Sequence, residues 1–354
     1  MFLATFLTLY GGLHLYSFLK ARAAFQLGAG VTKLLILFMV IMTFSPLVVR
    51  VLERHGFERI PEVLSWVAYM WMGFFLSILI TSYGLFEAVH IRTEHFEIRS
   101  QKIPETVGSV RIVQISDVHL GLMVREKRLN RILSAVRAAE PDIFVSTGDL
   151  VDGQMDNLSA LAGMLREIRT RYGKYAVTGN HEFYAGLERS LDFTKKAGFT
   201  LLRDEGLTIA GLINIAGVDD PAGKRPELDG SVSEKELLSR FPRELFTLVL
   251  KHRPLVDPKV RGHFDLQLSG HTHKGQIFPF TLVIKLLYHA DAGLVRFREG
   301  SFLYISRGSG TWGPPMRFLS PPEVTVIDLI HESRSHSVSK EAARIPERTR
   351  SRFR

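Results

Sequence analysis

Three long apolar stretches open the chain, and after them the pattern changes to short apolar runs alternating with amphipathic segments. The first stretch, Met1 to Leu19, carries no formal charge and ends at Lys20. The second lies between Lys33 and Arg50, and the third, Val63 to Phe86, contains Trp66, Tyr69, Trp71 and Tyr83. A bilayer span needs about 20 apolar residues. The first and third stretches have that length, and the shorter second gains reach from flanking cations that can snorkel. The first stretch does not read as a signal peptide, because it lacks a basic leading segment and a small-residue cleavage site, and further apolar stretches follow it. The competing reading is of buried helices in a soluble protein.

Past this region His95 to Ile98 reads as a strand and Pro104 closes a linker. Ser109 to Ile115 is a second strand, and Arg125 to Ala139 a helix with Leu129, Ile132, Leu133 and Val136 at helical spacing. Glu140-Pro141-Asp142 stops that helix. Another helix, Asn157 to Arg169, places Leu158, Leu161, Leu165 and Ile168 on one side. Short strands are expected around Leu201 and Ile209, from Ile213 to Val218, from Phe302 to Ser306 and from Glu323 to Leu329. A βα portion followed by a β-rich portion predicts an α/β fold of two facing sheets with helices outside, an αββα sandwich. The expected organisation is a membrane domain at 1–92 with about three transmembrane helices, a globular domain at 93–331 and a tail at 332–354. That tail holds seven Lys or Arg against three Glu, and reads as a disordered basic extension able to lie on anionic lipid.

Charge and composition narrow the chemistry. The chain has no cysteine and a net charge of +9, so disulfides and thiolate chemistry are excluded and a metal must be held by nitrogen and oxygen. A basic balance suits nucleic acid or an anionic membrane surface, and the apolar stretches favour the membrane. With three spans, Lys20, Arg22, Lys33, Arg92, Arg99 and Lys102 fall on one side, and Arg50, Arg54 and Arg59 on the other. This asymmetry puts the residues after the third span in the cytoplasm.

Five short pieces carry the candidate chemistry: Asp117-Val118-His119, Gly148-Asp149, Gly179-Asn180-His181-Glu182, Lys251-His252 and Gly270-His271-Thr272-His273. Each follows a run that reads as a buried strand: Val113 to Ile115, Ile143 to Val145, Lys174 to Val177, Leu248 to Leu250, and Leu266 to Leu268. Carboxylates, imidazoles and one carboxamide thus collect at strand ends. Two divalent cations roughly 3.5–4 Å apart can clamp both oxygens of a phosphoryl displacement, and holding them so close needs a bridging carboxylate. Asp149 is the candidate, since Gly148 frees the backbone to turn. Asp117 and His119 lie two apart, as do His271 and His273, so at an extended strand end each pair could face one way. The nitrogen-rich set suits manganese, iron, zinc or nickel better than magnesium. A lone Asp-x-His, or His252 alone before Arg253-Pro254, is more often a loop than a ligand. Five pieces in order carry the signal. His14, His55, His90, His95, His263, His289, His331 and His336 fit no ligand spacing. Asp219 and Asp220 read as turn residues, and Asp152 lies near enough to Asp149 to act behind it.

The ordered set Asp-x-His, Gly-Asp, Gly-Asn-His-Glu, His and Gly-His-x-His resembles the calcineurin-like metallophosphoesterase superfamily over roughly Gly108 to Leu329. The resemblance implies that Asp117, His119, Asp149 and His273 hold one divalent metal. It implies that Asp149, Asn180, His252 and His271 hold a second, with manganese first and iron, zinc or nickel as alternatives. His181 would stabilise the transition state and protonate the leaving oxygen while activated water attacks phosphorus in line. Ile115 to Gly121, Thr178 to Tyr184, Ser269 to Gln276 and the Gly308-to-Glu323 segment further resemble a bacterial branch of membrane-associated phosphoesterases. Some of that branch cleave the pyrophosphate of UDP-2,3-diacylglucosamine. The resemblance therefore implies a multi-pass bacterial inner-membrane enzyme, its catalytic domain cytoplasmic, hydrolysing a phosphodiester or pyrophosphate bond of a lipid-linked substrate.

Other functions remain open on the residues: a phosphodiesterase for a soluble nucleotide or phosphometabolite, and a metal-binding scaffold without turnover, although neither His181 nor a bridging ligand is lost. A nuclease would need a groove of stacking aromatics, which is not legible, so no nucleic-acid partner is expected. Lys274 stands where the branch commonly has a second glycine, and could meet substrate phosphate. Arg317 is a candidate phosphate clamp. The run Ile277 to Tyr288 is either a core element or an apolar lip beside the metals, touching membrane or holding acyl chains.

Overall fold

A computed structural model describes residues 2–153, 155–156, 158–223, 233–288, 290 and 292–333. The expected basic tail beyond residue 333, the expected helix start at Asn157, and His289 and His336 lie outside the described residues. Contacts divide the chain between Ser82 and Tyr83. The first unit is built from helices α1 (Phe2–Phe25), α2 (Ala29–Arg54) and most of α3 (Arg59–Val89). Among the described residues α2 and α3 are long and apolar enough to cross a membrane. The second apolar stretch, short in sequence, becomes a full-length helix because α2 runs 26 residues, past both Lys33 and Arg50. His14, which fits no ligand spacing, has a structural task. It is buried, its Nδ1 donates to the Tyr10 carbonyl, and its Nε2 accepts the Trp71 indole N–H at 3.0 Å, tying α1 to α3.

In the second unit, one six-stranded sheet has the order β1 (Arg92–Ser100), β12 (Glu323–His331), β2 (Ser109–Ile115), β3 (Ile143–Ser146), β4 (Lys174–Ala176) and β5 (Thr200–Leu201). The other has the order β10 (Gly293–Arg296), β11 (Phe302–Ile305), β9 (Leu266–Ser269), β8 (Phe246–Lys251), β7 (Ile213–Val218) and β6 (Glu205–Ile209). Side chains alternate across each strand, and β2 shows what that does. Val110 and Ile112 join the core between the sheets with Ile143, Leu248 and Leu268. Val113 and Ile115 point the other way, into a second core. That second core is closed by α4 (Glu126–Ala138), α5 (Ser159–Arg166) and α7 (Leu187–Lys196), the short α6 (Asn180–Tyr184) preceding α7, and a third lies under α8 (Glu234–Ser239) on the far side of the other sheet. The αββα sandwich is therefore present.

The strands that end in the five pieces, β2, β3, β4, β8 and β9, are parallel within each sheet, so their C-terminal ends share one edge of the sandwich. Beneath that edge Gln114, fully buried, donates to Thr147 Oγ1 at 2.8 Å and across to the Ser269 carbonyl at 3.2 Å. This polar pair of bonds pins one sheet to the other directly under the loops that carry the donors.

Candidate metal centre

Hydrogen bonding continues past the strand ends and fixes the loops. The Asp117 N–H donates to the Gly148 carbonyl and the His119 N–H to the Asp149 carbonyl, both at 3.0 Å; Gly270 N–H donates to the His252 carbonyl at 2.9 Å. Gly148 has φ +92°, and a Cβ there would lie 2.6 Å from Gly179 N and 2.8 Å from His252 Nδ1. The glycine is thus required by close approach of three loops as well as by its turn.

The expectation that Asp117 and His119 share a face because the strand end is extended is corrected. Asp117, His119, Asp149, His271 and His273 all take left-handed backbone, with φ between +49° and +71°. Non-glycine residues in that region cost about 1 kcal/mol or more each and persist only where the surroundings impose them. Here buried bonds do so. Asp117, for example, accepts from Ser116 Oγ at 2.5 Å and from the His271 N–H at 2.9 Å.

The resulting cluster brings Asp117, His119, Asp149, His252, His271 and His273 together. His119 Nε2 and His273 Nε2 face each other at 3.0 Å, with Asp117 Oδ1 3.5 Å from His273 Nε2. His252 Nε2 and His271 Nδ1 lie 3.1 Å apart. Between the two histidine pairs is Asp149 Oδ2, 3.8 Å from His119 Nε2 and 3.2 Å from His252 Nε2. The remaining donor, Asn180, is buried, and its Oδ1 has no hydrogen-bond partner. An orphaned buried carbonyl is costly in a protein alone, and the donor set fits a pair of divalent cations. Burial lowers the pKa of both His119 and His271 to about 4, keeping them neutral as ligands must be. Burial would also lower His252, but Asp149 outweighs it and raises that imidazole to about 10. A cation would displace this proton.

His181 lies against the His119 ring, grouped with His119 and Asp152. Its Nδ1 bonds Asp152 Oδ1 at 2.9 Å, its backbone N–H donates to Asp149 Oδ1 at 2.9 Å, and its ring meets that of His119 edge-on at 4.6 Å. Burial disfavours its cation, yet the Asp152 hydrogen bond and the Asp149 charge prevail and raise its pKa. The side-chain partner of Asp152 here is thus His181.

Residues 110–275 match the family described as calcineurin-like phosphoesterase. An Aquifex aeolicus protein named an uncharacterized metallophosphoesterase is 40% identical over 257 residues, covering 72% of this chain and 98% of that protein. This chain is a calcineurin-like phosphoesterase. A Danio rerio protein named transmembrane protein with metallophosphoesterase domain is 33% identical, covering 72% of the chain and 62% of its own length. Bacillus subtilis YkuE, named an uncharacterized metallophosphoesterase, is 32% identical over 68% of the chain and 85% of its own length. The phosphoesterase is accordingly a hydrolase of phosphoric esters.

Two residues of the phosphoesterase have roles that the sequence did not disclose. Glu182, fully buried, accepts from the backbone N–H groups of Gly179 at 2.6 Å, Leu150 at 2.8 Å and Asp149 at 2.9 Å, joining two ligand loops. Burial and the Asp149 charge push its pKa up to about 7. Glu182→Gln, which turns one acceptor into a donor facing N–H groups, is expected to cost about 1–3 kcal/mol per unpaired group. It should also weaken metal binding roughly 10–100-fold, both readable by thermal unfolding and metal titration.

Arg317 is not a phosphate clamp. It is wholly buried behind the site, donating to the carbonyls of Gly310 at 2.7 Å and Arg307 at 2.6 Å and to His273 Nδ1 at 3.1 Å. That contact helps hold the His273 ring with Nε2 toward His119. Arg317→Met strands those carbonyls and is expected to lower stability by about 3 kcal/mol or more, seen as a large fall in thermal midpoint.

Lys274 has φ +53°, the conformation that a glycine would hold without strain. Asp219 and Asp220, read as turn residues, follow β7 and are ion-paired, with Arg203 at 2.6 Å and Arg253 at 2.9 Å respectively.

Proposed function

We propose that this phosphoesterase is membrane-anchored and uses two divalent cations, manganese first, to hydrolyse a phosphodiester or pyrophosphate bond of a lipid-linked substrate such as UDP-2,3-diacylglucosamine. The observation that carries the two-cation reading is the place of Asp149 Oδ2 between His119 Nε2 and His252 Nε2. Asp117, His119, Asp149 and His273 would hold one cation, and Asp149, Asn180, His252 and His271 the other. Bound there, the pair supplies Lewis-acid charge to phosphoryl oxygens and acidifies an attacking water. His181, held by Asp152, carries a proton toward the leaving oxygen. Glu182 and Arg317 keep the donor loops in register.

The lipid-linked part is supported by the long apolar helices α2 and α3 and by the exposed apolar run that follows the His271–His273 loop. The count of Lys and Arg around the spans supports a cytoplasmic catalytic unit at a bacterial inner membrane. The full chain in detergent, stripped with chelator and resupplied with manganese, should cleave a chromogenic phosphodiester only when the metal returns. Diacylated nucleotide-sugar pyrophosphate should then be hydrolysed faster than its deacylated form. Turnover without metal overturns the two-cation centre, and equal rates overturn the lipid substrate.

A further inference from the structure

In residues 90–333 the exposed large apolar side chains are not scattered. Among the described residues, Leu122, Met123, Tyr184 and Leu255 lie within four residues of a candidate ligand or His181, while Trp312 and Leu319 flank Arg317. The remainder belong to the segment that begins at Phe278 and runs through α9 (Phe280–Tyr288). That helix is apolar nearly all round, and among its described side chains Leu286 is 76% exposed, Leu287 64%, Phe280 62% and Leu282 58%. Only Thr281 of its nine residues is buried. A helix apolar on every side is normally interior, and a contiguous apolar surface of this kind marks an interaction site.

Local contacts indicate what meets it. The end of α3, a helix apolar enough to cross a bilayer, reaches this surface within the second unit. The Tyr83 ring packs on Phe318 at 5.7 Å, and the Arg317 N–H donates to the Gly84 carbonyl at 2.9 Å. Phe318 then pairs with Ile277 and accepts the Phe278 N–H at 3.0 Å, directly before α9. At its other end Tyr288 meets the His271 ring at 5.9 Å, and Thr281 Oγ1 bonds the Lys274 carbonyl at 3.0 Å. A continuous chain of contacts thus runs from the end of α3, through α9, to the donor loops.

We infer that α9 and the apolar rim around the donor loops insert into the headgroup–acyl boundary of the bilayer that α2 and α3 cross. In this arrangement α9 lies in the interface plane with its outer side roughly 5–10 Å deep, the depth at which interfacial helices bury their apolar side chains. The mouth of the metal centre then opens at headgroup level, where a phosphoester carried by a lipid is found. The inference goes beyond the hydrolytic reading, and its test measures no turnover, so the two can fail separately.

Because the chain has no cysteine, a single Leu286→Cys in the full protein takes one spin label. It is reconstituted in vesicles of phosphatidylethanolamine and phosphatidylglycerol, beside Phe74→Cys on α3 and Ser134→Cys on α4 as lipid and water references. The label at 286 should collide with oxygen several-fold more than with a water-soluble nickel chelate, like the label at 74 and opposite to that at 134. Chelate access equal to that at 134 overturns the inference. So does shielding from both reagents, or dipolar coupling between labels on two copies, since a second chain would then cover the helix. Leu282→Cys gives the same reading should the first variant fail to fold by circular dichroism.

Discussion

Asp149→Asn is expected to reduce kcat/KM about a thousandfold or more and to lower the occupancy of both cations together. The carboxylate oxygen between His119 Nε2 and His252 Nε2 is the one donor shared by the two histidine pairs. Its charge is secured because His252 and His119 outweigh burial and hold its pKa below the usual carboxylate range. An amide keeps the shape, and its oxygen can still accept the His181 N–H, so the fold should survive. What it loses is the negative charge that lets two cations approach one another. Several kcal/mol of transition-state stabilisation by the metals go with it, and each 1.36 kcal/mol is about tenfold in rate. Asp117→Asn, at a carboxylate whose Oδ1 reaches the His273 imidazole of one pair and meets only the backbone N–H of His271 in the other, should empty one site and spare the other. Metal analysis of the purified variants decides the matter: two cations at wild-type occupancy in Asp149→Asn would remove the bridge.

His181→Ala gives the second large effect, a loss of roughly 10²–10⁴ in kcat, the range of a single general acid, with both cations retained. His181 contributes no atom to either facing pair, and its ring is held by Asp152 at 2.9 Å. Its proton matters in proportion to the basicity of the leaving oxygen. The loss should therefore be largest for an alkyl ester and smallest for a nitrophenyl ester, whose leaving group needs no proton. Equal losses for the two esters would contradict the proton-donor role, and loss of metal would make His181 a ligand.

Much of the frame was legible from periodicity alone. β2 occupies the residues expected for it, and α4 differs by one residue at each end, because apolar spacing there is strong and Glu140-Pro141 ends the helix unambiguously. The strands that lead into the five donor-bearing loops were legible as well, since each is an apolar run short enough to be only a strand. Legibility failed where the cause lay outside the local chain. Arg317 read as a candidate phosphate clamp because no periodicity reveals five backbone carbonyls, one of them that of distant His273, converging on its guanidinium. Glu182 looked like a motif neighbour, because its partners at Asp149 and Leu150 come from another strand. The left-handed turns at Asp117, His119, His271 and His273 are likewise imposed by bonds between loops, and no residue preference announces them.

The sequence by itself determined which donors exist, their order along the chain and the strands that present them; of the apolar stretches it marked, the second and third, not the first, are long and apolar enough among the described residues to cross a membrane. Those properties are set by side-chain chemistry and by periods of two and 3.6 residues, which are local. Only the tertiary structure decided that Asp117 and His273, far apart in the chain, share one cavity, that Asp149 lies between two histidine pairs, and that α9 is left uncovered. Such facts depend on parallel strand order and on two sheets meeting face to face. They arise from contacts between distant segments, and no local pattern encodes them.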